Sequence, residues 1–159
     1  MTTTIETASM RHLDRLTEIE VECFGKEAFT RKQIASLLTD YNSISLVAKE
    51  DGKIAGFVIG MVSIETDSPI GHILTLDVSP QYRRKRIGLR LLQEIERIFS
   101  KKGVGTCYLE AREDNLQALN LYEKTGYKRI GRLKNYYGDA HGIHLRKDFP
   151  VSKTPEQEG

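Results

Sequence analysis

Three stretches of the sequence carry residue types that can do chemistry. Glu110 closes the run "CYLE", and Tyr122 lies in the next segment, "NLQALNLYEK", which opens on Asn115. An unperturbed glutamate, with a pKa of about 4.3, is a proton acceptor at neutral pH, while a tyrosine, at about 10, remains a donor. The stretch "VSPQYRRKRIGLRLL" sets Arg83, Arg84, Lys85 and Arg86 in a row, with Arg90 beyond and Gly88 just inside a helix-like run. A helix N-terminus that follows a strand offers unpaired N–H groups and a partial positive charge, which suit a phosphate. Gly88 has no side chain, so backbone can approach a bulky ligand there. The third stretch, "KNYYGDAHG", sets Tyr136 and Tyr137 before residues that favour turns.

Each has a plainer reading. A glutamate at a strand end is usually a surface residue or an ion-pair partner. Tyr122, with Leu119 one turn before it, fits a core aromatic. Asn115 is a good N-cap, which is compatible with a ligand contact. A short basic run is by itself a solvated turn. One of the adjacent tyrosines can pack at a sheet edge, since alternate strand residues face opposite ways.

The elements that would position these residues follow from periodicity. "TIET" reads as a short strand, and Ser9 opens a first helix to about Cys23 with Leu13, Leu16 and Ile19 on one face. "FGKEAF" breaks it. Thr30 with Gln33 is a capping-box pair that starts a second helix through Leu38. "SISLVAKE" and "KIAGFVIGMVSIE" read as strands about the Asp51-Gly52 turn, "TDSP" as a loop, and "HILTLDV" as the next strand. Leu91, Leu92, Ile95, Ile98 and Phe99 line a helix that Gly103 stops. "VGTCYLEAR" is a strand, Asn115 to Gly126 a helix, and "YKRIGRLKNYY" with "HGIHLRKDF" a closing strand pair. The order is β-α-α-β-β-β-α-β-α-β-β, a mixed α/β domain on one central sheet of about seven strands. One domain over residues 1–149 is expected, with a polar, flexible tail over 150–159.

Composition bounds the reading. The chain has 159 residues, 39% hydrophobic and 29% charged, with a net charge of only +2, so the basic run is local and strong nucleic-acid binding is not expected. No apolar run approaches the roughly 20 residues of a membrane span, and the N-terminus lacks a signal peptide's apolar stretch. Cys23 and Cys107 do not suggest a disulfide scaffold, and a cytoplasmic home is the simplest. Cys107 reads as a small core residue. His72, His141 and His144 lack metal-like spacing with carboxylates or thiols, so no metal is expected, and His12 is expected to be solvated. A Gly-x-Ser-x-Gly nucleophile motif is absent, which favours direct transfer over an acyl-enzyme.

Taken together, "LDVSPQYRRKRIGLRLL", "YLEAREDNLQALNLYEKTGY" and "NYYGDAHGIHL" resemble the GNAT superfamily of acetyl-CoA-dependent acyltransferases. Within it they are most similar to ribosomal-protein alanine N-acetyltransferases and to archaeal and eukaryotic N-terminal acetyltransferases. The resemblance implies a mostly antiparallel sheet flanked by four helices. It also implies acetyl-CoA as co-substrate and protein N-termini as acceptors, ribosomal proteins among them, and it leaves open whether an auxiliary subunit takes part. The family's pyrophosphate loop, (Gln/Arg)-x-x-Gly-x-(Gly/Ala), falls on Arg83, Arg84, Lys85, Arg86, Ile87 and Gly88, with Arg86 in place of the first glycine. Leu76, Asp77 and Val78 match the strand that meets the pantetheine arm and the thioester, so the Val78 N–H would polarise the carbonyl. The resemblance makes Glu110 the general base and Tyr122 the general acid. The element Asn115, Ala118, Leu121 and Tyr122 matches in full, and Asn115 and Tyr122 would also contact CoA. Tyr136 and Tyr137, with Phe24 and Glu27 of "CFGKEAFT", would hold the acceptor. An α-amine loses its proton more easily than a lysine side chain by about 2 pKa units, so a modest base suffices for N-termini. Acetylation of lysine side chains or small amines, and a non-catalytic acyl-CoA binder, are the alternatives.

Overall fold

The computed structural model describes residues 2–65 and 67–150. Strand β1 (Thr3–Thr7) leads through a 3-10 turn (Met10–His12) into helix α1 (Leu13–Phe24). A second 3-10 turn (Gly25–Glu27) precedes α2 (Arg31–Thr39), and β2 (Ser43–Glu50), β3 (Lys53–Glu65) and β4 (Ser68–Val78) follow. A third 3-10 turn (Pro80–Tyr82) leads to α3 (Ile87–Lys101), β5 (Thr106–Arg112), α4 (Leu116–Lys124), β6 (Lys128–Leu133) and β7 (Gly142–Asp148). The sheet has seven strands in the order β1-β2-β3-β4-β5-β7-β6. β4 and β5 run parallel, pairing Ile70–His72 with Thr106–Tyr108; the pairs β1–β2, β2–β3, β5–β7 and β6–β7 are antiparallel. This is the mixed α/β architecture with four helices that the periodicity predicts.

The chain divides into two compact units: residues up to Met61 with Ile73–Glu96, and Val62–His72 with the chain from Arg97 onward. In the first, Leu13, Leu16 and Ile19 of α1 and Ile34 of α2 pack on Val47, Phe57 and Ile59. The Thr30 side chain accepts the Gln33 N–H at 3.1 Å while the Thr30 N–H donates to Gln33 Oε1 at 2.8 Å, so the expected capping box starts α2. Asp51 and Gly52 both have positive φ, the geometry a tight hairpin turn needs. In the second unit, β5 alternates: Cys107, Leu109 and Ala111 are buried, while Tyr108, Glu110 and Arg112 face the other way. Gly71 is required there, because a Cβ would meet the Phe99 ring at 2.9 Å.

Three expectations are corrected. β4 starts at Ser68, so the loop read over "TDSP" shrinks to its first two positions, of which Thr66 lies outside the described residues. His12 is buried rather than solvated; its Nδ1 accepts the Ser9 N–H at 3.1 Å, which closes the turn ahead of α1. β6 ends at Leu133, so Tyr136 and Tyr137 lie in the connecting loop, where Asn135 and Gly138 take positive φ and leave the extended path. Apart from Pro150, the tail lies outside the described residues.

Candidate active site

The second unit assembles a carboxylate between two imidazoles. Glu110 lies on the non-core face of β5 with its side chain 17% exposed. The antiparallel ladder sets it opposite His144 of β7, and the parallel ladder sets His72 of β4 opposite Tyr108. The side chains converge: His72 Nε2 is 2.7 Å from Glu110 Oε1, and His144 Nε2 is 3.5 Å from Oε2. The Tyr108 ring lies 5.4 Å from that of His144. A carboxylate so flanked can accept a proton and pass it to an imidazole. The sequence reading missed both histidines because their contact with Glu110 depends on strand partners distant in the chain. The one local signal was their place in strand-like runs.

Asn115 caps α4 as its position predicts, its Oδ1 accepting the Ala118 N–H at 3.1 Å. Tyr122 of α4 is buried, its ring edge-on to Tyr127 with centroids 5.8 Å apart. That is the packing of a core aromatic, and a phenol in such a setting can still present its hydroxyl at one end. In the β6–β7 loop the rings of Tyr136 and Tyr137 meet edge-on at 4.9 Å. The Arg112 guanidinium lies 5.6 Å from the centre of the Tyr137 ring, and Tyr136 is half exposed. Partial burial, and next the charge of Glu110, raise the Tyr136 pKa above that of a free phenol. Gly142 keeps this loop close: a Cβ there would meet Tyr136 Cβ at 3.2 Å.

The first unit carries the basic turn. Leu76, Asp77 and Val78 end β4, with Asp77 buried. Arg83 Nε donates to the Val78 carbonyl at 3.3 Å, and Lys85 Nζ lies 3.1 Å from Oε1 of the buried Glu50. Arg83 and Lys85 therefore brace the turn. Arg84 and Arg86 are exposed and both left-handed, with φ of 68° and 62°. The Arg86 carbonyl accepts the Arg90 N–H at 3.0 Å, so α3 begins at Ile87, which is buried, and Gly88 lies in its first turn. Arg86 thus takes a left-handed conformation that glycine adopts freely and a residue with a Cβ adopts only with strain. The first-turn N–H groups of α3 lack helical partners and fit a diphosphate. Phe24 ends α1 and Glu27 ends the 3-10 turn that follows; both are half-buried.

Comparison with known proteins shows the family. Residues 13–127 match the acetyltransferase (GNAT) family, and the chain belongs to that family. It is 32% identical over 120 residues to an N-alpha-acetyltransferase of Sulfurisphaera tokodaii, covering 68% of this chain and 70% of the relative. It is 31% identical over 150 residues to the N-terminal acetyltransferase B complex catalytic subunit NAA20 of Arabidopsis thaliana, covering 91% and 84%. The crystal structure of the ribosomal-protein-S18-alanine N-acetyltransferase from Escherichia coli superposes with a TM-score of 0.81 at 26% identity, covering 98% of this chain and 97% of that one. Among the described residues no helix is long and apolar enough to cross a membrane.

Proposed function

We propose that this acetyltransferase modifies the α-amino groups of protein N-termini by direct transfer in a ternary complex with acetyl-CoA and the acceptor. The observation that carries the reading is Glu110, a carboxylate bracketed by His72 and His144 beside the tyrosine loop. The relatives named for α-amine and N-terminal acetylation give it further support.

Acetyl-CoA supplies the activated acyl carbon and a thiolate leaving group. Glu110 takes the proton of the attacking amine, and the imidazoles carry it toward solvent. Tyr122 gives its phenolic proton to the departing sulfur. The Val78 N–H donates to the oxygen on which negative charge grows. The first turn of α3, with Arg84 and Arg86, holds the diphosphate, and Asn115 adds a contact to the cofactor. Tyr136, Tyr137, Phe24 and Glu27 hold the acceptor's first residues, ribosomal proteins being one acceptor class to try.

The test is initial-rate kinetics with free-N-terminus peptides against N-blocked, lysine-containing ones. Transfer to free N-termini alone is expected, and transfer only to blocked peptides overturns the reading. Glu110→Gln and Tyr122→Phe should each lower kcat by about 100-fold or more while CoA still binds. Unchanged turnover in both would remove these residues from the chemistry.

A further inference from the structure

A buried polar chain crosses the first unit. Glu20 on α1 and Asp77 on β4 are 2% and 1% exposed. Thr75 stands between them, its Oγ1 2.8 Å from Glu20 Oε1 and 2.6 Å from Asp77 Oδ1. The second oxygen of Glu20, Oε2, accepts the Phe29 N–H at 3.0 Å. Asp77 Oδ2 is buried with no hydrogen-bond partner among the described residues.

Two carboxyl groups at this depth are costly as two anions. The Thr75 hydroxyl has one proton and can donate to one carboxyl only, so the contact on its other side needs a proton from a carboxyl. Burial, and next the charge of Glu20, push Asp77 well above the usual carboxylate range. The two carboxyls and the Thr75 hydroxyl therefore share protons along one chain, with Thr75 as the bridge, and the Phe29 N–H donates to Glu20 Oε2. The other titratable groups facing Asp77 are the Cys23 thiol on α1 and the Arg83 guanidinium in the turn after β4. β3 presents the backbone of Gly56, where a Cβ would meet the Asp77 carbonyl oxygen at 2.4 Å.

We propose that Glu20, Thr75 and Asp77 are positioning residues that tie the α1–α2 loop, through the Phe29 N–H, to the segment of β4 that carries Val78. The inference rests on reading Phe24 and Glu27 as acceptor contacts and Val78 as the donor to the thioester carbonyl. Between Phe24 and Arg31 the backbone has one 3-10 turn, then an extended step at Ala28. Such a segment keeps its place only where its N–H groups are held. Glu20 holds one of them, and the same carboxylate grips β4. The loop that would shape the acceptor pocket and the strand that would polarise the carbonyl are thereby held in one register. None of the three side chains touches reacting atoms.

Three variants test this. Glu20→Leu removes both acceptors, Thr75→Val deletes the bridge at nearly constant volume, and Thr75→Ser restores the hydroxyl. Amide hydrogen exchange reads the anchor directly. The Phe29 amide should exchange about tenfold faster or more in Glu20→Leu and Thr75→Val, and return toward wild type in Thr75→Ser. The Ala118 amide, capped by Asn115, is the control and should not change. In kinetics the same two variants should raise the peptide KM about tenfold and leave the acetyl-CoA KM within about twofold. The proposal is overturned if folded Glu20→Leu and Thr75→Val keep wild-type protection at Phe29. It is equally overturned if both KM values rise together, or if Thr75→Ser behaves as Thr75→Val. Should Glu20→Leu not fold, Thr75→Val against Thr75→Ser decides. If the wild-type protein acetylates no peptide, the N-terminal reading fails by itself, and the Phe29 exchange still decides the anchor.

Discussion

Arg86 shows how a single residue can carry backbone strain just ahead of a helix. A left-handed conformation costs a residue with a Cβ about 1–2 kcal/mol, and Arg84 and Arg86 both adopt it beside the start of α3. The unfolded entropy that glycine adds is smaller, about 0.4–1 kcal/mol. Arg86→Gly should therefore raise the urea midpoint and Arg86→Val lower it; a lower midpoint for the glycine variant would show that the arginine side chain contributes more than the strain. Cys23 is a second case. Burial, and next the Asp77 charge, push its thiol up to about 11, so little thiolate forms at neutral pH. Alkylation by iodoacetamide at pH 7.5 should be much slower than for an unfolded cysteine and should accelerate as pH approaches 11. Rapid labelling at neutral pH would contradict the packing around Cys23. Glu110 was legible in the sequence as a carboxylate on a strand, although β5 runs past it to Arg112 rather than ending there. Its imidazole neighbours were not, because His72 and His144 reach it only through sheet pairing.

Among the elements, the capping box of α2 and the cap of α4 were readable because the donors and acceptors lie within three residues of each other. Thr30→Ala should cost about 1 kcal/mol of unfolding free energy, measured by urea titration. A loss near zero would mean that tertiary packing alone holds the start of α2. The β3–β4 pair makes a stronger prediction. A methyl at Gly56 would fall 2.4 Å from the Asp77 carbonyl oxygen, and that neighbour is backbone, which has little room to yield. Gly56→Ala should lower the melting temperature by several degrees, and unchanged melting would show that β3 can move aside. Strand boundaries were less legible than helix starts. β4 begins earlier than its hydrophobic pattern implies, and β6 stops before the tyrosines, because partner strands and positive-φ turns decide where extension ends.

For the molecule as a whole, the buried Asp77 adds a pH-dependent contribution to stability. In the folded state Asp77 binds its proton more tightly than in the unfolded chain, so between its ordinary pKa of 3.8 and its raised native value the folded state holds more protons. The stability that Asp77 contributes is therefore lost as pH rises through that window. Asp77→Asn, which cannot ionise, should flatten this decline, so that its advantage in melting temperature over wild type grows from pH 4 upward. A constant difference across pH would show that Asp77 titrates normally in the fold. The sequence by itself determined the order of elements, the caps of α2 and α4, the core place of Cys107 and the family motifs around Gly88, Glu110 and Tyr122. Each of these depends on spacing along the chain: a helical or extended repeat, a cap within one turn, or a motif read residue by residue. Only the tertiary structure decided that Glu110 meets His72 and His144, that His12 is buried, that Arg86 turns left-handed, and that Glu20, Thr75 and Asp77 share their protons. Those outcomes require groups remote in sequence to be brought within hydrogen-bond distance and withdrawn from water, and no local pattern encodes which strands will pair or which acids will be buried together.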